Sequence, residues 1–130
     1  KTGEADGPHL HPVIAVMPGK GWSRLPARQA ELLKLATNAF YAMKVVWANA
    51  LFDAGMSQDT LAALYADDRI AKWGCQVWHK GYRGYGGKCL SKDPEALETF
   101  TAGSMLSAFL HSMRVYNNAL LGTLRSTDGD

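Results

Sequence analysis

Between Pro26 and Asp53 apolar residues recur at three- and four-residue intervals, and this repeat limits what the chain can fold into more than any other feature. Leu32, Leu35, Ala36, Ala39, Phe40, Met43, Val46, Trp47, Ala50 and Leu51 share a broad face of one amphipathic helix. Gly55 is placed to end it in a left-handed cap. A helix of roughly 27 residues is about 40 Å long at about 1.5 Å per residue. That is long for a chain of 130 residues, and it puts Trp47 in the expected core.

The rest of the chain also reads as helical. Ser57 offers an N-cap, with Asp59 in the first turn. The segment 58–80 reads as one helix, or as two with a bend near Asp67 and Asp68. A glycine–tyrosine loop follows, Gly81-Tyr82-Arg83-Gly84-Tyr85-Gly86-Gly87. Asp93-Pro94-Glu95 is a helix start made of a cap, a proline at the first helical position and an acid. From there one helix is expected to about Leu124, through Leu97, Phe100, Met105, Phe109, Met113 and Leu120. No strand pattern competes. The expected fold is all-α, a small three- or four-helix bundle.

Before this bundle lies a segment rich in proline and glycine, residues 1–26, with Pro8, Pro12, Pro18 and Pro26. Proline removes a donor and fixes φ, so the segment is expected as an extended arm. Val13, Ile14 and Val16 are too apolar to be left in water and are assigned to a partner surface or to the bundle. The domain division is therefore an arm over 1–26, a helical domain over 27–125 and a disordered tail over 126–130. The chain begins at Lys1, which fits either a removed presequence or a truncated chain. The longest apolar stretch, Val45 to Phe52, is interrupted by Asn49 and is short of the ~20 residues of a membrane span. A formal charge of +2 does not by itself argue for nucleic acid.

Chemistry-bearing residues are few. Cys75 and Cys89 are the two cysteines, with residues 76–88 between them. A bridge would pin the glycine loop to the preceding helix and contribute roughly 3 kcal/mol; the alternative is a pair of buried reduced thiols. His9 and His11 form an H-x-H pair without a third ligand nearby. His111 is expected as a partly buried structural residue. His79 sits at a helix end, where a positive imidazole is favoured, or ligates a cofactor metal. The loop is not a phosphate cradle, because a helix precedes it and Cys89 follows its Lys88. Tyr82, Arg83 and Tyr85 suit a protein contact surface. A helix-turn-helix beginning at Met56 fails, because no glycine marks its turn and Lys72 falls where an apolar residue is needed. No nucleophile, base and orienter stand together, so the chain reads as non-catalytic.

One stretch carries a resemblance. Ala66-Asp67-Asp68-Arg69-Ile70-Ala71-Lys72, followed by Trp78-His79-Lys80-Gly81, resembles the repeat of the peridinin–chlorophyll a proteins of dinoflagellates. The glycine turn and Ser91 to Glu95 continue it, and Tyr41 to Phe52 around Trp47 is loosely similar to that family's aromatic helix. Trp78 replaces the first of the family's two histidines, and His79 remains. The resemblance implies a plastid protein of the thylakoid lumen, or one associated with the thylakoid membrane through partners. It implies chlorophyll a or carotenoid as cofactor, contacted by His79 and Trp78. Two functions are thus expected. One is a non-catalytic subunit of a light-harvesting or photosystem assembly. The other is a cofactor-free helical subunit docked to other proteins in a larger complex.

Overall fold

The structure is a computed structural model that describes residues 13–17 and 21–122. It is all-α, with four helices and two short antiparallel strand pairs. Strands β1 (Val13–Met17) and β2 (Gly21–Leu25) pair from Val13 opposite Leu25 to Met17 opposite Gly21. They lie against the first helix. Within the expected extended arm, residues 13–17 and 21–25 are thus paired strands. The side chains of Val13, Ile14 and Val16, like His9 and His11, lie outside the described residues.

Helix α1 spans Ala27–Asp53 and follows Pro26. It ends as the sequence indicates. Gly55 takes φ +103°, its N–H bonds the carbonyl of Phe52, and the N–H of Met56 bonds that of Leu51. These two bonds form a Schellman cap that satisfies carbonyls the helix cannot reach. One stripe of α1, Leu35, Ala39, Ala42 and Val45, packs on Leu97, Leu110 and Met113 of the later helices. Further along, Ala48 joins Leu61, Tyr65 and Val77 in a second core. Phe40 and Trp47 lie on the other side, exposed, with Trp47 at 57%. The expected burial of Trp47 is thus corrected. The helix carries two apolar stripes, and the stripe with small alanines is the one against which neighbouring elements approach.

Helix α2 is short, Gln58–Tyr65, capped by the Ser57 hydroxyl accepting from the Thr60 N–H at 3.2 Å. The helical segment expected over 58–80, as one helix or as two with a bend near Asp67 and Asp68, ends here and does not resume. The Asp67 carboxylate takes the Arg69 N–H at 2.9 Å, a local bond that competes with helix. The Lys44 ammonium then takes the carbonyls of Ile70 and Ala71 at 2.9 and 2.8 Å, acceptors that a continuing helix would need. Ala71 is held at φ +66°. Lys44 itself is buried, and burial pushes its pKa down against the opposing influence of Cys75.

The chain next forms a tight hairpin, β3 (Trp78–His79) on β4 (Tyr82–Arg83). Lys80 and Gly81 both have positive φ, the geometry of the turn that suits twisted strands. Helix α3 (Lys88–Phe100) begins earlier than Asp93, and Pro94 lies inside it. Asp93 is no cap; it is buried at 1% exposure. The expected single last helix breaks at Gly103, φ +83°, and restarts at Ser104, which caps α4 (Met105–Leu121). No helix among the described residues is long and apolar enough to cross a membrane.

Candidate active site

The seam between α1 and α3 holds a buried polar contact. Asn38 Nδ2 donates to Asp93 Oδ2 at 2.6 Å. The Lys92 ammonium is 3.5 Å from Asp93 Oδ1. The Asn38 bond holds the Asp93 carboxyl below its ordinary range against the opposing effect of burial, and the charges of Lys92 and Lys34 add to it. Lys34 precedes Asn38 by one turn of α1, and Cys89 precedes Asp93 by one turn of α3. Residues four apart share a helix face, with Cβ atoms about 5–6 Å apart. A buried carboxylate and a carboxamide thus meet at the seam, with an exposed thiol one turn before the first on α3 and an ammonium one turn before the second on α1.

A cleft of about 740 Å³ opens beside it. Its walls include Tyr41 and Val45, next along α1 after Asn38, and Leu90, which follows Cys89. Gly84, Tyr85 and Gly86 line it from the loop, and Trp73, Cys75 and His79 close another side. Aromatic faces with a few polar groups are the usual lining of a small-molecule site.

The loop into Cys89 is anchored deeply. Arg83 Nε donates to Asn49 Oδ1 at 3.0 Å, and its Nη2 donates to the Asn49 carbonyl at 3.2 Å and to Asp53 Oδ1 at 2.6 Å. The guanidinium lies 5.4 Å from the Phe52 ring and 5.8 Å from that of Trp78. Tyr116 donates to the other Asp53 oxygen at 2.5 Å. Burial pushes the Asp53 carboxyl up, but the bonds from Tyr116 and Arg83 outweigh it and leave it low. On the far side, Glu98 accepts from Arg114 Nε at 2.8 Å and is 2.8 Å from His111 Nδ1. The Arg114 and His111 bonds bring Glu98 down to about 2.

Several expectations change here. Arg83 and Tyr85 are buried and serve contacts within the chain; Tyr82 alone of the three is exposed. Trp78 is half-buried beside Arg83, and His79 sits in a strand at the cleft wall. His111 is exposed and paired with Glu98. Cys75 and Cys89 are both free thiols: Cys75 faces the cleft, and Cys89 stands exposed on α3. Among the described residues no group of three or more His, Cys, Asp or Glu could hold a metal.

A family model, the central domain of the UDP-glucose/GDP-mannose dehydrogenase family, matches residues 28–119. The chain belongs to this family. It is also 40% identical over 75 residues to a UDP-glucose 6-dehydrogenase of Rhizobium meliloti (strain 1021). That match covers 54% of this chain and 16% of the relative, so the chain spans about a sixth of the protein it matches. No solved structure matches. The match takes in the stretch that resembles the peridinin–chlorophyll proteins, and it replaces that resemblance. The photosynthetic function, the pigments assigned to Trp78 and His79, and the plastid lumen go with it, since the relative is a bacterial dehydrogenase. The non-catalytic reading is corrected as well: this is a domain of an enzyme family. Sequence reasoning missed Lys34, Asn38 and Asp93. Lys34 and Asn38 share a helix face far in sequence from Asp93, and Asp93 looked like a helix cap. The signal available was the run Gly86-Gly87-Lys88-Cys89, a thiol one residue beyond paired glycines.

Proposed function

We propose that this chain is the central domain of a nucleotide-sugar dehydrogenase and supplies its reactive thiol, Cys89. The observation that carries the reading is an exposed thiol one turn from Asp93, a carboxylate that Asn38 fixes in a buried position. Family membership gives that arrangement its context. The name of the relative points to oxidation at carbon 6 of a UDP-linked glucose. A carbonyl formed there is open to attack by a thiolate. The sulfur–carbon bond forms and the carbonyl oxygen gains negative charge, which a nearby ammonium such as that of Lys34 would offset and a proton would neutralise. Loss of a hydride from carbon 6 of this adduct, to a further equivalent of the electron acceptor, and of the hydroxyl proton would give a thioester, and water would release the acid and restore the thiol. Asn38 and Asp93 hold the α1 and α3 faces together while this occurs. The cleft beside Leu90 is large enough for part of the substrate.

A dehydrogenase needs an electron acceptor, in this chemistry a nicotinamide dinucleotide. The described residues do not fit it: their strands form only two-stranded antiparallel pairs, whereas a dinucleotide fold needs parallel strands with crossover helices. The acceptor belongs to another part of the protein. Partners are read in the same way. Exposed Phe40, Trp47, Met105 and Phe109 form apolar surface suited to other protein of the assembly.

Cys89→Ser in the protein containing this chain tests the reading, with UDP-glucose oxidation followed by absorbance of the reduced nicotinamide. Activity should fall by at least about 10³-fold with an unchanged melting curve. Retention of more than about a tenth of the rate would exclude Cys89 as the nucleophile.

A further inference from the structure

Asn117 lies on α4, is 2% exposed, and holds the main chain of the glycine loop. The Tyr85 N–H donates to Asn117 Oδ1 at 2.7 Å, and Asn117 Nδ2 donates to the Tyr85 carbonyl at 3.0 Å. One carboxamide thus does what a neighbouring strand does in a ladder. At this burial water has little access to replace either bond. Gly84 completes the fit at φ +81°, where an added Cβ would come within 2.6 Å of Asn117 Oδ1. Beyond Tyr85 the chain reaches Cys89 through Gly86 and Gly87, and nothing lies within 4 Å of where their Cβ atoms would be. The space beside both glycines is open. At its start the path is held by Tyr85, whose side chain packs in the core and whose main chain Asn117 clamps, and at its end by α3.

We propose that Asn117 is a positioning residue for Cys89, acting through the main chain of Tyr85. The proposal rests on the reading of Cys89 as the reactive thiol. A displaced Tyr85 moves the first turn of α3, and with it the sulfur. Small misplacements of a reacting group cost much more in turnover than in binding.

The test compares Asn117→Ala with the parent protein by two readouts. The first is alkylation of Cys89 by iodoacetamide, resolved by mass spectrometry with Cys75 as internal comparator. The Cys89 rate should change by at least about threefold while that of Cys75 holds. The second is turnover of UDP-glucose: kcat should fall by about 10- to 100-fold, with KM within about threefold. An unchanged Cys89 rate and an unchanged kcat in a folded variant overturn the proposal. Should Asn117→Ala not fold, Asn117→Asp, which keeps the acceptor for the Tyr85 N–H and loses the donor, decides by the same readouts. Tyr85→Phe preserves both main-chain bonds and should leave the alkylation ratio alone. An equal change there would place the effect in the phenol and overturn the clamp. If Cys89→Ser keeps its activity, the functional reading falls, and the alkylation ratio still decides what Asn117 does.

Discussion

Arg83→Met removes a charge from the centre of the loop anchor while keeping much of the side-chain volume. Its cost can be assembled from the contacts. The Asn49 side chain is 0% exposed, and its Oδ1 loses the Arg83 donor; an orphaned buried acceptor costs about 1–3 kcal/mol. The aromatic faces of Phe52 and Trp78 each lose a cation at 5.4 and 5.8 Å, worth about 0.5–1 kcal/mol apiece. Asp53 adds less. Its side chain is 42% exposed and keeps Tyr116 as donor, so its released charge is met by water at about 0–1 kcal/mol. The sum is about 2–6 kcal/mol, a large share of the roughly 5–15 kcal/mol that stabilises a small domain. Urea denaturation followed by circular dichroism should show the midpoint falling by about 1–3 M. Asp53→Asn, by the same reasoning, should cost less than about 1 kcal/mol. An Arg83→Met loss below about 1 kcal/mol, or an Asp53→Asn loss as large as that of Arg83→Met, would show that the buried acceptor is not what Arg83 serves.

Two further outcomes are expected. Glu98 is brought from an ordinary 4.5 to about 2 by Arg114 and His111; a carboxyl lowered on folding adds stability above its unfolded value and loses it as pH falls through the folded one. Stability should therefore decline between about pH 4.5 and 2 by roughly 1–2 kcal/mol, after allowance for the exposure of His111 and Arg114, and Glu98→Gln should flatten that part of the profile. A Glu98→Gln variant with an unchanged acid limb would refute the assignment. Trp47→Ala should cost less than about 1 kcal/mol in a thermal melt of the isolated chain, because the indole is already 57% exposed. A loss in the core-truncation range of about 3–5 kcal/mol would place it inside.

Much of the helical architecture was legible because its signals are local. The spacing along α1, the glycine at its end and the serine cap of α2 each act within a turn or two of chain. Even the break between α3 and α4 was written in Gly103 and Ser104, a stop beside a start that the longer apolar repeat obscured. The candidate site was not legible in that way. Asp93 and Pro94 have the form of a helix start, and only the presence of Asn38 across the seam makes the aspartate a buried acceptor. The two cysteines suggested a bridge by spacing alone, yet one thiol faces the cleft and the other stands exposed on α3.

By itself the sequence determined an all-α chain, the long first helix, and where that helix ends. Propensity, capping and period act over a few residues, so these features need no partner to be read. Tertiary structure alone decided which stripe of α1 is buried, since periodicity marks a face as apolar without saying what covers it. It also decided that no helix continues past Ile70 and Ala71, because Lys44, distant in sequence, takes their carbonyls. The same holds for the contact of Asn38 with Asp93: a pair from two helices exists only once their packing has brought them together.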